Sequence, residues 1–137
     1  MKLNLDTIRT LLLYLEENLA VSENGFEEID YTQISEDTKI SIPETINTLK
    51  VLDEAGFIQT IGNYGDDSID ELCVFRITYD GYQFIDSIRP VPRWKKVLKI
   101  LAIIGSSSLN LVSPIASQLI ASELSEVFEN FSKNSRS

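Results

Sequence analysis

The chain has 137 residues, 43% of them hydrophobic and 9% aromatic, which is enough to build the core of one compact domain with a small appended element. Its formal net charge of −9 repels DNA, RNA and anionic membranes on average. With no histidine and one cysteine, Cys73, the composition excludes histidine-based acid–base catalysis, histidine metal ligation, a Cys–His nucleophile, a cysteine-built zinc site and an internal disulfide.

The first helix starts near Asn4 or Asp6, either of which can serve as its N-cap. Ile8, Leu11, Leu12, Leu15 and Leu19 recur at helical spacing and form one apolar stripe. Glu16, Glu17 and Asn18 lead into a polar break ending at Gly25, and residues 25–30 are expected to pair as a short strand. Asp30 with Gln33 has the spacing of a capping pair for a helix over Tyr31 to Thr38. Lys39 and Ile40 make the turn to a third helix. Ser41 and Glu44 there have the capping-box spacing, and Pro43 falls in the first turn.

That helix is expected to run to about Ala55, bury Ile42, Ile46, Leu49 and Leu52, and stop at Gly56 in the left-handed region. Phe57 to Ile61 reads as a strand, residues 62–68 as a polar loop, and Leu72, Val74, Phe75 and Ile77 as the returning strand of a hairpin. Thr78 then caps a helix over residues 79–89, with Asp80 at its positive end and Phe84, Ile85 and Ile88 on its apolar side.

This order predicts a mostly helical α+β fold. Residues 1–89 are read as a winged helix-turn-helix with a β-hairpin wing. Residues 90–137 are read as a basic linker and two amphipathic C-terminal helices. Charge divides the chain at the same place. Residues 1–90 hold 6 basic and 18 acidic side chains, and residues 91–137 hold 6 basic and 3 acidic. Pro90 and Pro92 form a stiff joint, followed by Arg93, Trp94, Lys95, Lys96 and Lys99 and an uncharged run from Ile100 to Ser122. Gly105, Ser106 to Ser108, Asn110 and Pro114 interrupt that run, which disfavours a membrane span. Helices over Trp94–Ile104 and Pro114–Phe131 are expected, the second capped by Ser113. Its stripe of Ile115, Leu119, Leu124 (or Ile120), Val127, Phe128 and Phe131 is longer than one small domain needs, so packing on its own domain and homodimerisation both stay open.

Three stretches carry a family resemblance. They are M-K-L-N-L-D-T-I-R at the start, I-T-Y-D-G-Y-Q-F-I-D-S-I-R from Ile77, and Arg93-Trp94-Lys95-Lys96. They resemble an uncharacterised "domain of unknown function" winged-helix family found in phages, prophages and mobile elements. The resemblance implies a winged helix and a mobile-element setting, and it brings no catalytic residues. The usual histidine after the junction glycine is Tyr82 here. In the related "LTxxGxxxL" junction of winged helices the glycine, here Gly81, permits close backbone approach.

No phosphate-binding glycine loop occurs, and no cofactor is expected. The acidic run Asp66, Asp67, Asp70 and Glu71 lacks calcium-loop spacing and reads as a solvated wing tip. Tyr64, Tyr79 and Tyr82 read as half-buried or interfacial, and Cys73 as a small buried apolar residue. The expected outer face of the third helix is Glu44, Asn47, Thr48, Val51 and Glu54, which has the wrong sign for DNA. Arg93, Lys95, Lys96 and Lys99 form a separate basic patch. The expected function is therefore non-enzymatic protein–protein interaction in a bacterial cytoplasm. A DNA-binding regulator is the alternative, and membrane association through the C-terminal helices is a lesser one. The start of the chain, with Asp6 and Arg9 early on, is not expected to act as a signal peptide.

Overall fold

A computed structural model describes residues 2–64 and 69–135. The chain divides into two compact units between Asp86 and Ser87, close to the end of the fourth helix.

In the first unit, α1 (Leu5–Asn18) is capped by Asn4, whose side chain accepts from the backbone N–H groups of Asp6 (2.9 Å) and Thr7 (3.3 Å). Leu5, Ile8, Leu11, Leu12 and Leu15 are buried. Leu19 is not part of this stripe, because it is the extended residue that ends the helix. The expected single strand over residues 25–30 is two separate pieces. β1 (Val21–Ser22) and β2 (Gly25–Phe26) form their own small ribbon, and β3 (Ile29–Asp30) joins the main sheet.

α2 (Tyr31–Thr38) is capped by Asp30, which accepts from the Thr32 N–H. Gln33 does not complete a capping box, since its amide donates instead to Asp37 (2.9 Å). α2 closes at Lys39, a left-handed residue. α3 (Ile42–Glu54) then starts on the Ser41 hydroxyl, which accepts from the Glu44 N–H (3.3 Å). Gly56 at φ 82° ends α3: its N–H reaches the Asp53 carbonyl and the Phe57 N–H reaches the Leu52 carbonyl. This double closure is a Schellman stop, which satisfies carbonyls the helix would otherwise leave open.

β4 (Ile58–Tyr64) and β5 (Ile69–Ile77) form the wing hairpin, and the sheet order β3-β5-β4 is antiparallel throughout. Residues 62–64, expected in a loop, belong to β4 instead, because Gly62, Asn63 and Tyr64 pair with Leu72, Glu71 and Ile69. Cross-strand pairing overrides the local turn preference of those residues. Helix, strand, helix, helix, strand, strand and the closing helix α4 (Tyr79–Ile88) make this a winged helix, mostly helical and α+β. Its core is Ile8, Leu11, Leu12, Leu15, Ile34, Leu49, Leu52, Ile58, Leu72 and Ile85.

One junction locks α3 and the wing to α4. The Phe57 carbonyl accepts the Thr78 N–H (3.0 Å), and the Thr78 hydroxyl donates to the Gly56 carbonyl. The same hydroxyl accepts from the Gly81 N–H at 3.0 Å, which caps α4. Phe57 and Phe84 stack with ring centroids 4.6 Å apart. A Cβ added at Gly81 would lie 2.1 Å from the Phe57 carbonyl oxygen and 2.8 Å from Ile77 Cγ2. Only glycine allows this approach of α4 to the start of the wing.

In the second unit, α5 (Val91–Ile104) ends at Gly105 (φ 71°) in the same double-closure fashion, with Gly105 and Ser106 N–H groups on Ala102 and Leu101 carbonyls. Trp94, Val97 and Leu101 are its buried stripe. α6 (Leu109–Ser135) begins five residues before the expected start, so Ser113 is not its cap and Pro114 lies inside it. Burial of Val112 and Ala116 offsets the hydrogen bond that Pro114 cannot donate. α5 packs on α6, and an Arg93–Glu123 ion pair (2.7 Å) joins them. Among the described residues no helix is long and apolar enough to cross a membrane.

Gly81→Ala should destabilise the first unit by about 2–4 kcal/mol, because backbone rather than a yielding side chain occupies the Cβ position. Urea unfolding followed by circular dichroism measures this; a loss below about 0.5 kcal/mol would mean that α4 can slide without cost.

Candidate functional site

α3 presents a different face to solvent from the one its polar residues suggest. Thr45 and Thr48 are buried beside Leu49 and Leu52. Threonine is β-branched and carries a methyl group, so it can pack inward where its hydroxyl finds a partner. The Thr45 hydroxyl donates to the Ile40 carbonyl, at 3.5 Å. The inward stripe is thus rotated by about 60° from the one set by Ile42, Ile46, Leu49 and Leu52. Ile42 is exposed and Ile46 half-buried as a result.

Of the five residues expected on the outer face, Thr48 is buried, and Glu44, Asn47 and Val51 are half-buried. Glu54 alone among them is fully outside. Glu44 accepts from the Thr7 hydroxyl (2.8 Å), so its carboxylate ties α3 to α1 instead of closing a capping box. The exposed arc is Ile42, Pro43, Lys50, Asp53 and Glu54, with half-buried Ile46 within it and Asn47 at its edge. One basic and two acidic side chains leave it at −1. Asp53 is held in place by the Thr60 hydroxyl of β4 (2.7 Å), so a carboxylate is fixed where α3 meets the wing. Lys50 sits near the middle of this arc.

The structure brings together only part of the basic patch. Arg93 is turned inward, its Nε on Glu123 and a terminal nitrogen on the Ser87 carbonyl (3.1 Å). Lys95, Lys96 and Lys99 are exposed along α5. Asp66 and Asp67, expected at a wing tip, lie outside the described residues. Tyr79 and Tyr82 are exposed.

A cluster around Cys73 escapes the sequence. Its Sγ lies 4.0 Å from an Asp30 carboxylate oxygen and 3.9 Å from one of Glu71. The nearest donor atoms of Glu28, Glu71 and Cys73 are all within 4.8 Å of one another. Pairing of Asp30 with Cys73 across β3 and β5 creates the cluster, and no spacing in the sequence announces that register. Burial, followed by the Asp30, Glu28 and Glu71 charges, pushes the thiol up to about 11. At neutral pH it is therefore S–H, not the thiolate that acts as nucleophile or metal ligand.

Two grooves are shallow. One, about 130 Å³, is lined by Leu19, Val21, Phe75, Ile77 and Tyr82, and another, about 280 Å³, by Ile100, Pro114, Ile115, Gln118 and Leu119. Both fall below the roughly 300–1,000 Å³ usual for small-molecule sites.

A family model described as "Hypothetical protein (DUF2513)" matches residues 2–107. No match was found among curated proteins. Among solved structures, the chain is similar to one described as "MarR Protein from Peptoclostridium difficile DA00132", at 14% identity and a TM-score of 0.44, over 93% of this chain and 70% of that one.

Cys73 in the folded protein should react with iodoacetamide at pH 8 roughly a hundredfold more slowly than in the urea-unfolded chain, since its thiolate fraction falls tenfold per unit of raised pKa. The sign for stability follows. A raised thiol pKa favours the fold below the ordinary value of 9.0 and loses that contribution as pH rises towards about 11. Equal alkylation rates in the two states would show that the thiol is open to solvent.

Proposed function

The chain belongs to the DUF2513 family, and from the charge and polarity of its surface we propose that it acts by binding another protein, with the exposed side of α3 and the adjoining wing as its contact surface. The observation that carries this is the composition of that side. Ile42 and Pro43 lie outside at one end, Asp53 and Glu54 at the other, with Lys50 between them. A helix that reads DNA must neutralise phosphates, the main source of DNA affinity. A net negative arc in a segment carrying 18 acidic and 6 basic side chains does the reverse. An apolar end and an acidic end on one helix suit a basic protein surface with an apolar spot, because opposite charge speeds encounter and the apolar contact holds the complex. The resemblance to a phage and mobile-element family supports a host regulatory or defence component as that partner.

A DNA-binding regulator is the second reading. Two observations favour it: Lys50 near the middle of the exposed arc, and the exposed row of Lys95, Lys96 and Lys99.

Random duplex DNA at low salt separates the readings, because any phosphate-neutralising protein binds it there. The expected result is no mobility shift with about 10 µM protein at about 20 mM salt. A shift lost in Lys95→Glu with Lys96→Glu would establish the regulator instead. Affinity capture from host extract should yield a basic protein whose recovery falls about tenfold with Ile42→Asp or Glu54→Lys. Unchanged recovery with both variants would remove α3 from the contact.

A further inference from the structure

The second half of α6 carries an apolar seam that its own unit does not cover. Every described residue after Ile120 is exposed except Glu123, which is half-buried. Leu124 is 50% exposed, Val127 62%, Phe128 66% and Phe131 68%. Ile120, Leu124, Val127 and Phe131 follow one another by four, three and four residues, with Phe128 alongside. That spacing is the repeat by which two helices pack side chains into each other's gaps. A free-standing amphipathic helical segment is marginal in water, and most helical stability in proteins comes from packing the apolar face.

We propose that this seam is a homotypic interface, occupied by α6 of a second copy of the chain. Three observations select that occupant. First, the seam's flanks are electrically quiet. Ser125 and Ser132 line one side, and Asn130 and Glu123 the other, where Arg93 of the same chain already neutralises Glu123 at 2.7 Å. Two identical seams therefore meet without like-charge repulsion, whereas a charged partner helix would find no complement. Second, the charges of α6 lie on the opposite side: Glu126, Glu129 and Lys133, the last two paired at 3.8 Å. A helix lying on an anionic membrane needs a basic polar face, and this one is acidic. Third, the area is sufficient. The exposure of Leu124, Val127, Phe128 and Phe131 amounts to roughly 450 Å² of apolar surface per copy. Ile120 and the flanking side chains extend that towards the roughly 600–800 Å² per partner of a stable complex. The inference is independent of what α3 binds.

The test is the solution mass of the full chain. At about 100 µM protein, sedimentation equilibrium should give twice the 15.5 kDa of one chain. Val127→Glu with Phe128→Glu should give 15.5 kDa, with a dissociation constant raised at least about a hundredfold and an unchanged melting curve for the winged unit. Glu126→Lys, on the opposite side, should remain dimeric. A monomeric wild type, a double variant that stays dimeric, or loss of the dimer in Glu126→Lys would each overturn the proposal. So would flotation of the wild type, but not the double variant, with phosphatidylcholine–phosphatidylserine vesicles.

Discussion

The close approach at Gly81 is the constraint on which the winged unit depends. α3, the wing and α4 meet within a few residues, and each end there leaves backbone groups that need partners. Thr78 serves three of them. Its N–H meets the Phe57 carbonyl, its hydroxyl donates to Gly56, and the same oxygen accepts from Gly81. That arrangement closes only if the backbone at residue 81 can lie where a side chain would sit, 2.1 Å from a carbonyl oxygen. Phe57 stacking on Phe84 then makes the same junction apolar on its other side. Gly56 also ends α3, so the direction in which α3 presents its exposed arc and the direction of the wing are set together.

The orientation of α3 follows from packing rather than polarity. Two threonines take inward positions that a polarity count assigns to isoleucines, and the whole helix turns with them. The consequence is chemical. An isoleucine and a proline come to the surface, Lys50 lies near the middle of the exposed arc, and Glu44 turns to accept from Thr7. The surface that results is less acidic than the sequence suggests and more apolar at one end. It is also stiffer, since Thr60 holds Asp53.

The second unit uses charge differently. Arg93 heads the basic segment, yet its bond to Glu123 spends it on joining α5 to α6. The three lysines that follow remain outside. The same ion pair removes the one charge flanking the α6 seam. Pro114, a natural helix start, is absorbed into α6 because Val112 and Ala116 ahead of and behind it are buried. The helix thereby gains length, and its far end, where the apolar residues concentrate, extends beyond the part that α5 covers.

Much of the fold was legible from local chemistry alone. Asn4, Asp30 and Ser41 as caps, Gly56 as a stop, the leucine stripe of α1 and the strand of β-branched and aromatic residues before Thr78 are all signals whose physics acts within a few residues. The family likewise showed in short stretches of sequence, and the glycine expected to allow a close approach does so against the Phe57 carbonyl. The candidate surface was much less legible. Which side of α3 faces out depends on whether Thr45 and Thr48 find both an apolar niche and a hydroxyl partner, and that is a property of the neighbours. The carboxylates around Cys73 depend on a strand register joining residues 43 apart in sequence. The fate of Arg93 depends on a glutamate 30 residues away. Local chemistry places the ends of α1 to α5 to within a few residues, because caps, stops and periodicity are short-range. The start of α6, the extent of β4, the side chains that meet solvent and the charges already paired are set by burial, strand pairing and ion pairs between residues far apart in the chain.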